Sequence, residues 1–182
     1  MWYNWGGMVS KKSTAKKIAV MSLLTGLSLI MFIVENLLPP LFIPGAKLGL
    51  ANIFSFAALI IYTPVEAFII LIARTLLGAI FAGNLSALLY SFTGGVVAMA
   101  VSSLLMYTLY PKISVMAVSV TSAILHNLTQ NVVFVFLSGT TLMFGYMPYL
   151  ALIGIFSGAV VGGVTLVLFK GIPTKLLMEV NN

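Results

Sequence analysis

The chain has 182 residues, of which 61% are hydrophobic and only 7% charged, and its mean hydropathy is +1.16. Soluble domains carry about 25% charged residues, so water is not the principal solvent of this surface. The net charge of +6 does not have the spread of a nucleic-acid footprint. Lys11, Lys12, Lys16 and Lys17 precede the first apolar run, and Lys170 and Lys175 follow the last. Basic residues in those places orient a chain in a bilayer and touch anionic lipid head groups. With no cysteine present, disulfides, thiolate metal sites and cysteine nucleophiles are excluded.

In chain order, Met1 to Gly7 differs in character from the lysine-rich and apolar stretches after it, and Met8 is an alternative start. The first apolar run is too long for a secretory signal and ends in Pro39-Pro40 without a small-residue cleavage pattern, so it reads as a retained helix. A helix crossing the hydrocarbon needs roughly 20 residues. Six segments qualify: Lys16 to Leu38, an unusually short Leu48 to Tyr62, Pro64 to Ala82, Leu85 to Tyr107, Ile113 to Leu137 and Met147 to Phe169. The expectation is an all-α membrane protein, a six-helix transmembrane bundle over residues 16–170. A short N-terminal segment (1–15) and a tail (171–182) flank it. An even number of spans puts both termini on one side, together with Lys112 and the terminal lysines. Lys47 alone falls opposite, so both termini are expected in the cytoplasm of a multi-pass cell-membrane protein.

Thr63-Pro64-Val65-Glu66 reads as a helix start, with Thr63 at the N-cap, proline at the first helical position and Glu66 completing a capping box. Glu66 is thereby explained as structural. Gly154, Gly158 and Gly162 leave one face of the sixth helix nearly bare, and Gly94, Ala98 and Ser102 make a milder stripe on the fourth. Those two helices are the expected close pair. Ala15 and Ala19 form a third small pair, amid the lysines of the first helix.

Ionisable and amide groups within spans are costly and face a cavity or a partner. Arg74 lies roughly 15 Å into the third helix at helical rise. It would either pair with Glu35 or with carbonyls to hold helices together, or present a cation to an anionic solute. On the fifth helix His126 and Gln130 share one face and Asn127 and Asn131 a neighbouring one, which points to a polar cavity. Glu35 and Asn36 close the first helix, a proline-rich loop leads to Lys47 and Asn52, and Asn84 precedes the fourth span. These residues are candidates for the outer mouth of the same cavity. Asn84-Leu-Ser86 and Asn127-Leu-Thr129 match the glycosylation sequon, but the second lies inside a helix and both are set aside.

The chemistry of an enzyme is missing. There is no phosphate loop, and no aspartate to hold magnesium and a diphosphate. The only acids, Glu35, Glu66 and Glu179, are far apart. One histidine without cysteine is a poor transition-metal donor set. No catalytic residue, metal or cofactor is expected.

The stretch KKIAVMSLLTGLSLIMFIVENLLPPLFIPGAKLGLANIFSF (Lys16–Phe56), above all its PGAKLGLANI, together with ILHNLTQ in the fifth helix, resembles the Gx transporter family. That family is also described as heptaprenyl diphosphate synthase component I. It is similar in turn to the substrate-binding S components of energy-coupling factor transporters, six-helix proteins that capture vitamins or metal ions. Those depend on a transmembrane coupling subunit and two cytoplasmic ATPases. The resemblance implies that Ala15 and Ala19 match the A-x-x-x-A contact for the coupling subunit. It also places solute under the loop between helices one and two, near Lys47, Asn52 and the helix-five cluster, with Arg74 deeper. The function it implies is uptake of a small, anionic vitamin, cofactor precursor or isoprenoid- or quinone-related compound. The alternatives are a non-catalytic accessory subunit of polyprenyl diphosphate synthesis and a stand-alone secondary transporter using His126 or Glu35 for proton coupling.

Overall fold

The computed structural model describes residues 14–37, 49–83 and 85–171. Among these residues are six α-helices: α1 (Thr14–Leu37), α2 (Asn52–Ile61), α3 (Pro64–Ala82), α4 (Leu85–Leu109), α5 (Val115–Ser138) and α6 (Met147–Gly171). A 3₁₀ segment, Thr141–Tyr146, leads into α6 and was not foreseen, because TLMFGY continues the apolar run without a break. All the helices but α2 are long and apolar enough to cross a membrane. The sequence-derived spans agree with the helices to within a few residues, except that α2 has only 10 residues. At helical rise it is about 15 Å long.

The burial pattern is that of a protein whose outer solvent is apolar. On α3, Ile69, Ile72, Leu76 and Ile80 recur at helical spacing on the exposed face, whereas Arg74 and Thr75 are buried at 3% exposure each. Leu37, Phe136 and Leu142 are all more than four-fifths exposed. In water such surfaces would aggregate; in lipid they are the favourable outside.

Neighbouring helices run antiparallel, so the topology gathers Lys16 and Lys17, the α2–α3 turn, Lys112 and Lys170 at one end of the bundle. We call this the lysine end. The α3 start is built as read: Glu66 accepts from the Thr63 backbone N–H at 3.1 Å, and the Thr63 side chain faces the Glu66 backbone N–H in return, which makes the capping box. The Thr63 hydroxyl also donates to the Glu66 carboxylate. Glu66 also pairs with Lys17 at 2.5 Å, and the same ammonium lies 5.7 Å from the Tyr62 ring centroid. Lys17 therefore ties α1 to α3, a role beyond that of a lipid-facing lysine.

The glycine stripe on α6 does not meet α4, its expected partner. It receives α5: a Cβ on Gly154 would stand 2.7 Å from the Ile124 Cα, and one on Gly158 2.5 Å from the Val120 Cα. The reason is geometric. Only backbone of α5 approaches closely enough to need a bare face, and α4 lies on the other side of α5. Ser119 seals the seam by donating to the Gly158 carbonyl at 2.8 Å. Gly158→Ala is expected to force the two helices apart and cost about 1–3 kcal/mol, read as a lowered thermal midpoint in detergent. A Cβ on Gly26 would meet no neighbouring atom within 4 Å, so Gly26→Ala in the same assay should be neutral or stabilise by about 0.5–1 kcal/mol.

Candidate functional site

A narrow cleft, open on one side, lies among α2, α3, α4, α5 and α6. Gly49, Asn52 and Phe56 line it from α2 and the turn before it, and Leu71 from α3. The face of α4 supplies Gly95, Ala98, Met99 and Ser102 at i, i+3, i+4 and i+7, the spacing of one helical stripe. From α5 come Ser119, Ser122, Ala123, His126 and Asn127, and from α6 Ser157 and Val161. The walls are therefore mostly apolar and built of small residues, with hydroxyl, amide and imidazole groups set among them.

The cleft has a direction. Because α4 and α5 are antiparallel, Ser102 meets Ser122, donating hydroxyl to hydroxyl at 2.7 Å, while nearer the far end Gly94 faces His126. Serines thus mark the half towards the lysine end, and Asn52, His126 and Asn127 the half away from it. The bare backbone at Gly94 and Gly95 makes room: a Cβ on Gly94 would meet the Gln130 Cγ at 2.8 Å, and one on Gly95 the Leu71 Cδ1 at 2.6 Å.

A buried polar network stands against the far end. The turn before α2 is held from α1, where Ser28 donates to the Ala51 carbonyl at 2.6 Å and Glu35 accepts from the Gly49 N–H at 2.6 Å. From α3, Arg74 donates through Nη2 to Oδ1 of Asn52 at 2.5 Å. Arg74 thus bonds Asn52 and not Glu35, whose carboxylate acts on it only through its charge. Arg74 does not itself line the cleft, and Asn52 stands between the two. With α2 so short, Asn52 itself sits inside the bundle, level with Arg74. Asn52 has one side towards the cleft and the other towards the guanidinium.

The helix-five cluster divides between two tasks. His126 and Asn127 line the cleft, and Asn127 donates to the Leu150 carbonyl at 3.3 Å. Asn131 donates to the Met143 carbonyl at 2.9 Å and anchors the 3₁₀ segment. Gln130 is half-buried against Gly94 and does not line the cleft. Asn36 lies in α1, but its side chain, together with Lys47 and Asn84, falls outside the described residues. Ala15 and Ala19 are exposed on one face of α1.

Sequence reasoning missed the serine lining. Its signal was present as Ser119, Ser122 and His126, spaced three and four apart on one face of α5. Among the described residues, no three of His, Asp and Glu converge as a metal site.

If Asn52 satisfies Arg74, removing it strands a buried cation. Asn52→Ala is expected to cost about 3 kcal/mol, and Arg74→Met in the Asn52→Ala background should restore most of that stability. Chemical denaturation of the two variants checks this, and equal stability of both would show that the bond carries no weight.

The family model described as Heptaprenyl diphosphate synthase component I matches residues 24–168, which include α2 to α5 and every residue of the cleft. No curated protein and no solved structure matches the chain.

Proposed function

The chain belongs to the heptaprenyl diphosphate synthase component I family, and from that premise we propose that it is a non-catalytic membrane subunit that binds a small solute for a larger assembly. The observation that carries this reading is the cleft. Five elements converge on an open space with small, mostly apolar walls that also carry Asn52, His126 and Asn127, whereas a helix bundle that only needed to pack would fill such a space with larger side chains.

The resemblance to energy-coupling factor S components gives the reading its finer form. The solute is a small anionic vitamin, cofactor precursor or isoprenoid- or quinone-related compound. The partners are a transmembrane coupling subunit and two ATPases, and the termini face the cytoplasm of the cell membrane. Exposure of Ala15 and Ala19 on α1 leaves that pair accessible to a second membrane protein. A second reading rests on the family's description: an accessory membrane subunit for a separate prenyl diphosphate synthase. Both readings use the same cleft and differ in the partner.

Ala123 lines the cleft, and a bulky side chain there would occupy it. Protein purified from membranes in mild detergent is expected to carry a small molecule detectable by mass spectrometry of the denatured sample, at least tenfold depleted in Ala123→Phe. Equal amounts in both would remove the cleft as the binding site. Tagged chain co-expressed either with an ATPase-driven coupling module or with a soluble prenyl synthase subunit then separates the readings. Under the first, Ala15→Leu with Ala19→Leu abolishes association without loss of bound solute.

A further inference from the structure

Arg74 has only 3% of its surface exposed, yet its hydrogen bonding is incomplete. Nη2 donates to the neutral Asn52 amide, and the buried Nε meets no acceptor among the described residues. A guanidinium has five N–H donors, and a buried cation needs a counter-charge as well as hydrogen bonds. Neither described carboxylate is hydrogen-bonded to Arg74, and Glu35 reaches it through charge alone. Glu66 is bonded to Lys17 and Thr63 near the lysine end, and Glu35 holds the Gly49 amide. What separates Arg74 from the cleft is Asn52, which both lines the space and occupies the guanidinium.

We infer that Asn52 stands in for an acidic group of the solute, and that Arg74 receives that group, a carboxylate or a phosphate, when the Asn52 amide turns aside. This rests on the solute-binding reading of the same cleft and adds the chemistry at one end of it. Exchange of a neutral acceptor for an anion adds the attraction of an opposite charge to a bond that the guanidinium charge already assists. The guanidinium fork can also donate to two oxygens side by side, which a single amide oxygen does not supply. Asn52 Nδ2 lies close enough to Gly49 that a Cβ there would stand 2.9 Å away, so the amide already packs on the backbone beside it. The rest of the ligand runs from this end along Phe56 and Met99 towards Ser102. The class it defines is an acid with one charged head and a slim, mostly apolar body.

Geranyl phosphate, geranic acid and geraniol share a ten-carbon body and differ in the head, so they serve as probes. Thermal unfolding of the purified full chain in a neutral detergent is followed with each. The two acids are expected to raise the midpoint by several degrees more than geraniol, and whichever acid gives the larger shift identifies phosphate or carboxylate as the preferred head. Arg74→Gln keeps a donor for Asn52 but carries no charge; it should lose the advantage of the acids, at least tenfold in apparent affinity, and keep any response to geraniol. Asn52→Asp supplies a built-in anion, so it should raise the ligand-free midpoint while also abolishing that advantage. Two results overturn the inference: acids no better than geraniol on the wild type, or an undiminished advantage in Arg74→Gln. If geraniol still stabilises the wild type and Ala123→Phe removes that response, the cleft binds solute and only the anionic head is wrong.

Discussion

The structure turns on the shortness of α2. A helix of about 15 Å cannot cross a hydrocarbon layer of about 30 Å, so its first turn ends among the other helices and brings backbone polar groups with it. Without water those groups must be satisfied by protein. Ser28 and Glu35 of α1 take the Ala51 carbonyl and the Gly49 amide, and Asn52 Nδ2 packs beside Gly49. Helices α1, α3, α4 and α6 pack against α2, and Gly49 and Asn52 at its start line the cleft.

The same constraint explains why the polar residues are distributed as they are. Arg74 would be intolerable facing lipid and has a place only because Asn52 is carried inward to meet it. The opposite end of the bundle is handled by ordinary means: a capping box at Thr63, an ion pair from Lys17 to Glu66, and lysines at the helix ends. Glu66 and Arg74 lie on one helix with opposite duties. The first completes a helix start, and the second borders a cavity.

The spans, the α3 start and the small-residue stripes were legible because each rests on local signals: apolar runs bounded by proline, glycine and lysine, or fixed spacing within one helix. What was not legible depended on contacts distant in sequence. Lys17 and Glu66 are 49 residues apart, and nothing in either neighbourhood specifies the other. The stripe of Gly154, Gly158 and Gly162 shows that a close neighbour exists but not that it is α5. Hydroxyl residues mislead for a different reason. Thr25, Thr75, Thr93, Ser103, Thr108 and Thr165 all donate to carbonyls of their own helices, a bond open to any helical serine or threonine. Ser102, Ser119 and Ser122 differ from these in bonding to another helix, which their local sequence does not reveal. Of the proposed site, Asn52, His126 and Asn127 meet in the cleft and Arg74 borders it, while Gln130 supports α4 instead.

The identity of residue 52 carries the last step. An aspartate there would form a buried ion pair with Arg74, satisfy the cation more fully and leave it nothing to offer a solute. An apolar residue would strand it. An asparagine does neither. The bond from Arg74 to Asn52 is already assisted by the guanidinium charge and contributes about 1.5–3 kcal/mol, but the neutral amide brings no opposite charge of its own, which an anion in its place would add. That attraction, together with the unused Nε donor, is the driving force available for binding. A site built this way is selective without rigid enclosure: an uncharged molecule of the same shape cannot displace the amide at a profit, because the bond it forms is no stronger than the one it breaks. Discrimination by charge then comes from Arg74 and Asn52, and discrimination by shape from the small-residue walls of α4 and α5.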